Sequence, residues 1–162
     1  HLISLNQKDL LRRVSEDTWL NELRAEYSID LVNYNSQFEG SSLQNRAREF
    51  LRTPSDSLTE WINKSYEYGA VALFAQYLTE QYGQGILKET LPTTTIGIDS
   101  IKTYLTQHGY KERFEDVFAN WSLTVGNYRL WIGILSGNVK HVFIKKHICN
   151  AISSQLPIML LS

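Results

Sequence analysis

Trp19, Leu23, Tyr27 and Leu31 stand four residues apart. Residues three and four apart share one face of an α-helix, so this spacing lays an apolar stripe along a helix rather than a strand. Leu20 and Ile29 widen the stripe, and Ser15, Asp17 and Thr18 offer capping oxygens ahead of it. The pattern predicts a helix over 18–33. The same periodicity returns three times. Residues 43–51 are helical in composition and stop short of Pro54, since the residue before a proline disfavours the α region. Val71, Phe74, Ala75, Leu78 and Tyr82 predict a helix over 68–82 that Gly83 and Gly85 end. Phe114, Val117, Phe118 and Trp121 fall at i, i+3, i+4 and i+7 and predict an amphipathic core helix over 112–121. A shorter helix is expected from Ser100 through Ile101, Tyr104 and Leu105 to Gly109. The fold class expected is mainly α.

Between these helices the sequence reads as connection. Residues 34–42 are polar with Gly40 and predict a loop, and Ser55 to Ser57 predict a cap or turn before Leu58 and Trp61. The β-branched run 93–98 predicts a short extended link. Beyond Asn127 the pattern loosens. Residues 130–135 and 142–144 are apolar and partly β-branched with Gly137 and Asn138 between them, which is compatible with a short hairpin or with buried helix.

Charge divides the chain. All 17 acidic residues lie at or before Asp116, whereas Arg129, Lys140, Lys145 and Lys146 continue beyond it. Two readings account for this: a basic C-terminal subdomain, or a chain end foreign to the preceding domain, as after a frameshift. The division expected is 1–128 and a basic tail, 129–162. The net charge of −1 argues against a nucleic-acid binder, which carries a basic excess. No run reaches the roughly 18 apolar residues of a membrane span. A single cysteine, Cys149, excludes an internal disulfide framework. It reads as a small apolar residue, and His108, His141 and His147 show no ligand spacing among themselves.

The residues that carry chemistry lie near the N-terminal end. The run Trp19-Leu20-Asn21-Glu22-Leu23-Arg24-Ala25-Glu26-Tyr27 resembles the W-L-N-E-G-[FL]-[AS]-x-Y segment of the gluzincin zinc metallopeptidases, with Leu23 where the family has Gly. His1, followed by Leu2 and Ile3, resembles the second histidine of H-E-x-x-H in hyicolysin-like peptidases of that type. Tyr66-Glu67-Tyr68-Gly69-Ala70-Val71-Ala72-Leu73 resembles the clan's Y-x-x-G-[AS]-x-x-[LF] segment, and residues 101–121 resemble the helical C-terminal half of hyicolysin-like proteins. Together the matches cover about residues 1–128.

The resemblance implies the helical C-terminal half of a metallopeptidase catalytic domain, from a parent often secreted or at the cell surface. In such a parent His1 and Glu22 are zinc ligands, and Glu26, one turn beyond Glu22, is an acceptor supporting them. Tyr66, with Tyr68 as alternate, is the phenol that stabilises the oxyanion formed when metal-activated water attacks a peptide carbonyl. The substrate implied is a peptide or protein. Lacking the first histidine and the base glutamate of the motif, the chain is expected to be inactive alone. The alternative reading, from another class, is a helical protein-interaction module with a groove of Trp19, Trp61, Tyr66 and Phe74.

Overall fold

The structure is a computed structural model that describes the backbone of residues 1–32 and 42–134 and the side chains of these up to Gly126, Asp30 excepted. Its contacts divide it into two units, His1–Trp121 and Ser122–Ser162. The described residues are mainly helical and contain no strand. A short α1 (Leu2–Ser4) runs into a π-helical stretch, π1 (Leu5–Leu10). There follow α2 (Thr18–Leu31), α3 (Ser42–Arg52), α4 (Ser65–Tyr82), α5 (Gly85–Lys88), α6 (Gly97–Gln107) and α7 (Phe114–Ile134).

The hub is α4, whose buried residues include Val71, Phe74, Ala75 and Leu78. Both α2 and α3 pack against it. The expected stripe of α2 is seated through Trp19, Leu20, Leu23 and Tyr27, none more than 8% exposed, while Leu31 is 58% exposed. A four-residue repeat on a helix of 3.6 residues per turn drifts by about 40° per step, so the fourth member sits roughly 120° from the first and leaves the core face. From α7, Phe114, Val117 and Trp121 enter the core, and Phe118 lies at its margin, stacked on Phe114. Phe74 meets Phe114 and Trp121 edge to face at centroid distances of 6.2 and 5.2 Å, and Phe50 of α3 tilts onto Trp121. Each such side chain removed from water contributes on the order of 1.5–3 kcal/mol.

The helices differ from expectation mainly at their ends. α4 begins a turn earlier than the stripe indicates, because the Glu67 carboxylate accepts the backbone N–H of Lys64 and closes the helix start. α6 begins at Gly97, not Ser100, and Gly97 has a φ of 52°, a conformation that costs other residues roughly 1–2 kcal/mol. In the expected link at 93–98 Ile96 is extended, while the Thr93 hydroxyl donates to the Thr90 carbonyl and Lys8 donates to Thr93 and Thr95. The Ser57 hydroxyl accepts the N–H groups of Thr59 and Glu60, giving the expected turn. In the second unit, residues 130–134 continue α7 and are not a strand. The rest of the expected hairpin, with His141, His147 and Cys149, lies outside the described residues, as does the expected loop at 34–41.

Candidate functional site

Position 22 lies on the flank of α2, beside the buried stripe rather than in it. Glu22 and Glu26, four residues apart, therefore point the same way, each retaining some contact with solvent. His1 immediately precedes α1, and its carbonyl accepts the N–H of Leu5. Its imidazole lies against α2: Nε2 is 3.5 Å from Oε2 of Glu22. The two side chains the sequence singled out as zinc ligands are thus brought together across the loop that joins the first helix to α2.

A buried charge cluster holds the first helix in that position. Lys8, in π1, is wholly buried, and its Nζ donates to Oγ1 of Thr93 and the carbonyl of Thr95, with Oε2 of Glu16 at 3.4 Å. Glu16 also accepts from Nη1 of Arg24 at 2.7 Å and from the backbone N–H of Gly97. Arg24 lies two positions beyond Glu22 on α2 and donates further to Thr90 and the carbonyl of Leu87. Burial alone would raise the Glu16 carboxyl, but Arg24, the Gly97 N–H and Lys8 outweigh it and hold it below the ordinary range. Burial lowers the Lys8 ammonium, against the pull of Glu16. One carboxylate serving two cations thus ties π1, α2, the 90–95 turn and the start of α6 together. No spacing in the sequence marks it, because its members are distant in the chain and pair only in the folded state.

Around Glu22 the electrostatics are of opposite character. Burial raises its carboxyl first and the neighbouring Glu26 charge raises it further, against the α-amino group of His1 and Arg46. Glu26 is itself engaged by Arg46 of α3, which donates through Nε at 3.0 Å and Nη2 at 2.8 Å. Glu26, expected to support the ligands, is bound to this guanidinium.

The two candidate tyrosines separate. The Tyr68 phenol is raised by burial and then by the charge of Glu22, with Arg46 opposing. That of Tyr66 is raised by burial and then by Asp56 and Glu67. Two residues apart is about 200° of turn on a helix, so the two side chains leave α4 in different directions. Of the four aromatics considered for an interaction groove, Trp19 and Phe74 are core residues at 1% and 0% exposure.

Nε2 of His1 and Oε2 of Glu22 are a nitrogen and an oxygen donor of the kinds zinc takes. Bond lengths of 2.0–2.2 Å at a tetrahedral angle separate two such donors by about 3.4 Å. The observed 3.5 Å fits that separation. Among the described residues no cluster of three or more His, Cys, Asp or Glu side chains is placed to hold a metal ion. Among the described helices, none is long and apolar enough to cross a membrane. No known protein family matches the chain, and neither a curated protein nor a solved structure does.

Proposed function

We propose that His1 and Glu22 are two ligands of a zinc ion in a peptidase that hydrolyses peptide bonds, with this chain forming the helical part of its catalytic domain. The observation that carries the reading is the approach of these two side chains, 21 positions apart, to a separation that suits one tetrahedral ion. The resemblance of the Trp19-to-Tyr27 run to the gluzincin ligand helix agrees with it. The raised Glu22 carboxyl adds to it: a half-desolvated carboxylate beside a second one is an arrangement that a cation relieves.

A zinc ion held there would supply Lewis acidity and a water acidic enough to react near neutral pH. The residues of the chain have distinct tasks. His1 offers a neutral imidazole nitrogen, and Glu22 a carboxylate whose charge is not spent on an arginine. Tyr68, whose phenol is raised by burial and by the charge of Glu22, would donate to a carbonyl oxygen as negative charge builds on it. The reading requires a third protein donor and a general base from sequence beyond these residues.

Zinc titration of the chain carrying 15N-labelled histidine tests the metal site. Added zinc is expected to shift the ring resonances of His1 and leave those of His108 in place. Glu22→Gln is expected to weaken that response by about tenfold or more. A His1 ring indifferent to zinc, or a Glu22→Gln variant that responds like the parent, would overturn the reading.

A further inference from the structure

The Y-x-x-G run contains a glycine in mid-helix, where glycine costs about 1 kcal/mol relative to alanine. The structure shows what requires it. A Cβ on Gly69 would lie 2.4 Å from the carbonyl oxygen of Arg46 and 2.8 Å from the backbone nitrogen of Phe50. Both are backbone atoms of α3, which cannot swing aside as a side chain can. Gly69 therefore sets how closely α3 and α4 approach, at the level of Arg46.

At that level Arg46 faces the residue just before the glycine. Its Cζ lies 4.8 Å from the ring centroid of Tyr68, within the range of a cation–π contact. Its planar fork is fixed by both oxygens of Glu26 and by Oε2 of Glu49 at 3.1 Å. Tyr68 has further partners. Trp61 meets it edge to face at 5.0 Å. Its hydroxyl donates to Oδ1 of Asn63 at 3.4 Å. Asn63 has a φ of 62°, and the buried Glu67 carboxylate accepts the N–H groups of both its neighbours, Ile62 and Lys64. The ring is thus held by both a guanidinium and an indole, while the 3.4 Å hydroxyl bond is long and leaves the O–H available to a better acceptor.

We propose that Arg46 is a positioning residue of the candidate site: its guanidinium, braced by Glu26 and admitted by Gly69, fixes the Tyr68 ring on α4. The functional side of this rests on the zinc-site reading, since it is Glu22 that makes the place of Tyr68 matter. The contact needs arginine rather than any cation. A lysine ammonium keeps the charge but offers neither the flat face that stacks on a phenol nor the two parallel donors that lock onto one carboxylate.

The test is nuclear Overhauser contact between the Tyr68 ring and the Trp61 indole in the 162-residue chain, compared among the parent, Arg46→Gln and Arg46→Lys. Both variants are expected to lose that contact and to move the Tyr68 ring resonances toward those of free tyrosine, with the Tyr82 and Tyr104 rings unchanged. A Tyr68 ring that keeps its contact in either variant overturns the proposal: in Arg46→Gln because no guanidinium is needed, in Arg46→Lys because charge alone suffices. Glu26→Gln covers the case in which an Arg46 variant does not fold. It leaves the helix contact intact and breaks only the charge-assisted fork, and is expected to give the same loss; an unmoved ring there also overturns the proposal. Zinc titration of the same parent sample keeps the two readings apart. A His1 ring that ignores zinc removes the metal, while the ring contacts of Tyr68 still decide the role of Arg46.

Discussion

Glu16 and Glu22 are six residues apart, and their surroundings push their carboxyls in opposite directions. Glu16 is depressed by two cations and a backbone N–H, which outweigh its burial. A depressed folded-state value means that the contribution of Glu16 to stability is fully present above the ordinary 4.5 and is lost as pH falls through the lower folded value. The urea midpoint of the parent is therefore expected to fall with acidification below about pH 4.5. Glu16→Gln should lose part of that acid dependence. It should also be destabilised at neutral pH by about 3–5 kcal/mol, because Lys8 and Arg24 are left buried without their counter-charge. A variant equal to the parent in urea at neutral pH would show that the cluster is not what holds π1 against α2. Glu22 belongs to the other kind of residue. Among the described residues Glu22 has no arginine partner of the kind Arg24 is to Glu16; its ion pair is with His1, at 3.5 Å.

At the level of elements, the contact of α3 with α4 carries more than packing. Gly69→Ala would gain up to about 1 kcal/mol in helix propensity. It would also drive a methyl group into the backbone of α3, and overpacking of this kind costs typically about 1–3 kcal/mol, and more where only backbone can yield. The second effect wins, because the 2.4 and 2.8 Å distances are to atoms fixed by helical hydrogen bonds. Net destabilisation in urea is expected, together with the same displaced Tyr68 ring that loss of Arg46 gives. A Gly69→Ala chain as stable as the parent would mean that α3 and α4 can separate without cost. The stripes of α2, α4 and α7 could be found from periodicity, since each reflects the 3.6-residue repeat of its own helix. The early start of α4 had a local signal too, in Glu67 three residues after the capping position Lys64. The π-helical turn at 5–10 had none. A polar stretch holding a wholly buried lysine makes sense only once Glu16, Thr93 and Thr95 surround it.

For the first unit as a whole, α4 joins what the other helices bring. Phe74, fully buried, touches Tyr77 on its own helix and Phe114 and Trp121 on α7. Phe74→Ala is expected to cost about 3–5 kcal/mol, since aromatic rings on several sides can collapse only partly into the space. Against a total stability on the order of 5–15 kcal/mol for a domain, that is enough to lower the thermal midpoint by many degrees. The measurement is thermal unfolding followed by near-ultraviolet circular dichroism, which reports the aromatic cluster directly. A shift of only a degree or two would place the weight of the core elsewhere than on the α4–α7 contact.

The chain's own order of residues determined the helical class, the faces that turn inward and the choice of His1, Glu22 and a tyrosine of the 66–68 pair as the residues of interest. These are local matters: helix periodicity, capping and short motifs act over a few positions. What packs against the Tyr68 ring, what engages Glu26, and what holds His1 against α2 were decided only by the tertiary structure. They depend on pairs such as Lys8 with Thr95, Arg46 with Tyr68 and Gly97 with Glu16, which lie far apart in the chain. Their energies appear only when packing removes water from between them.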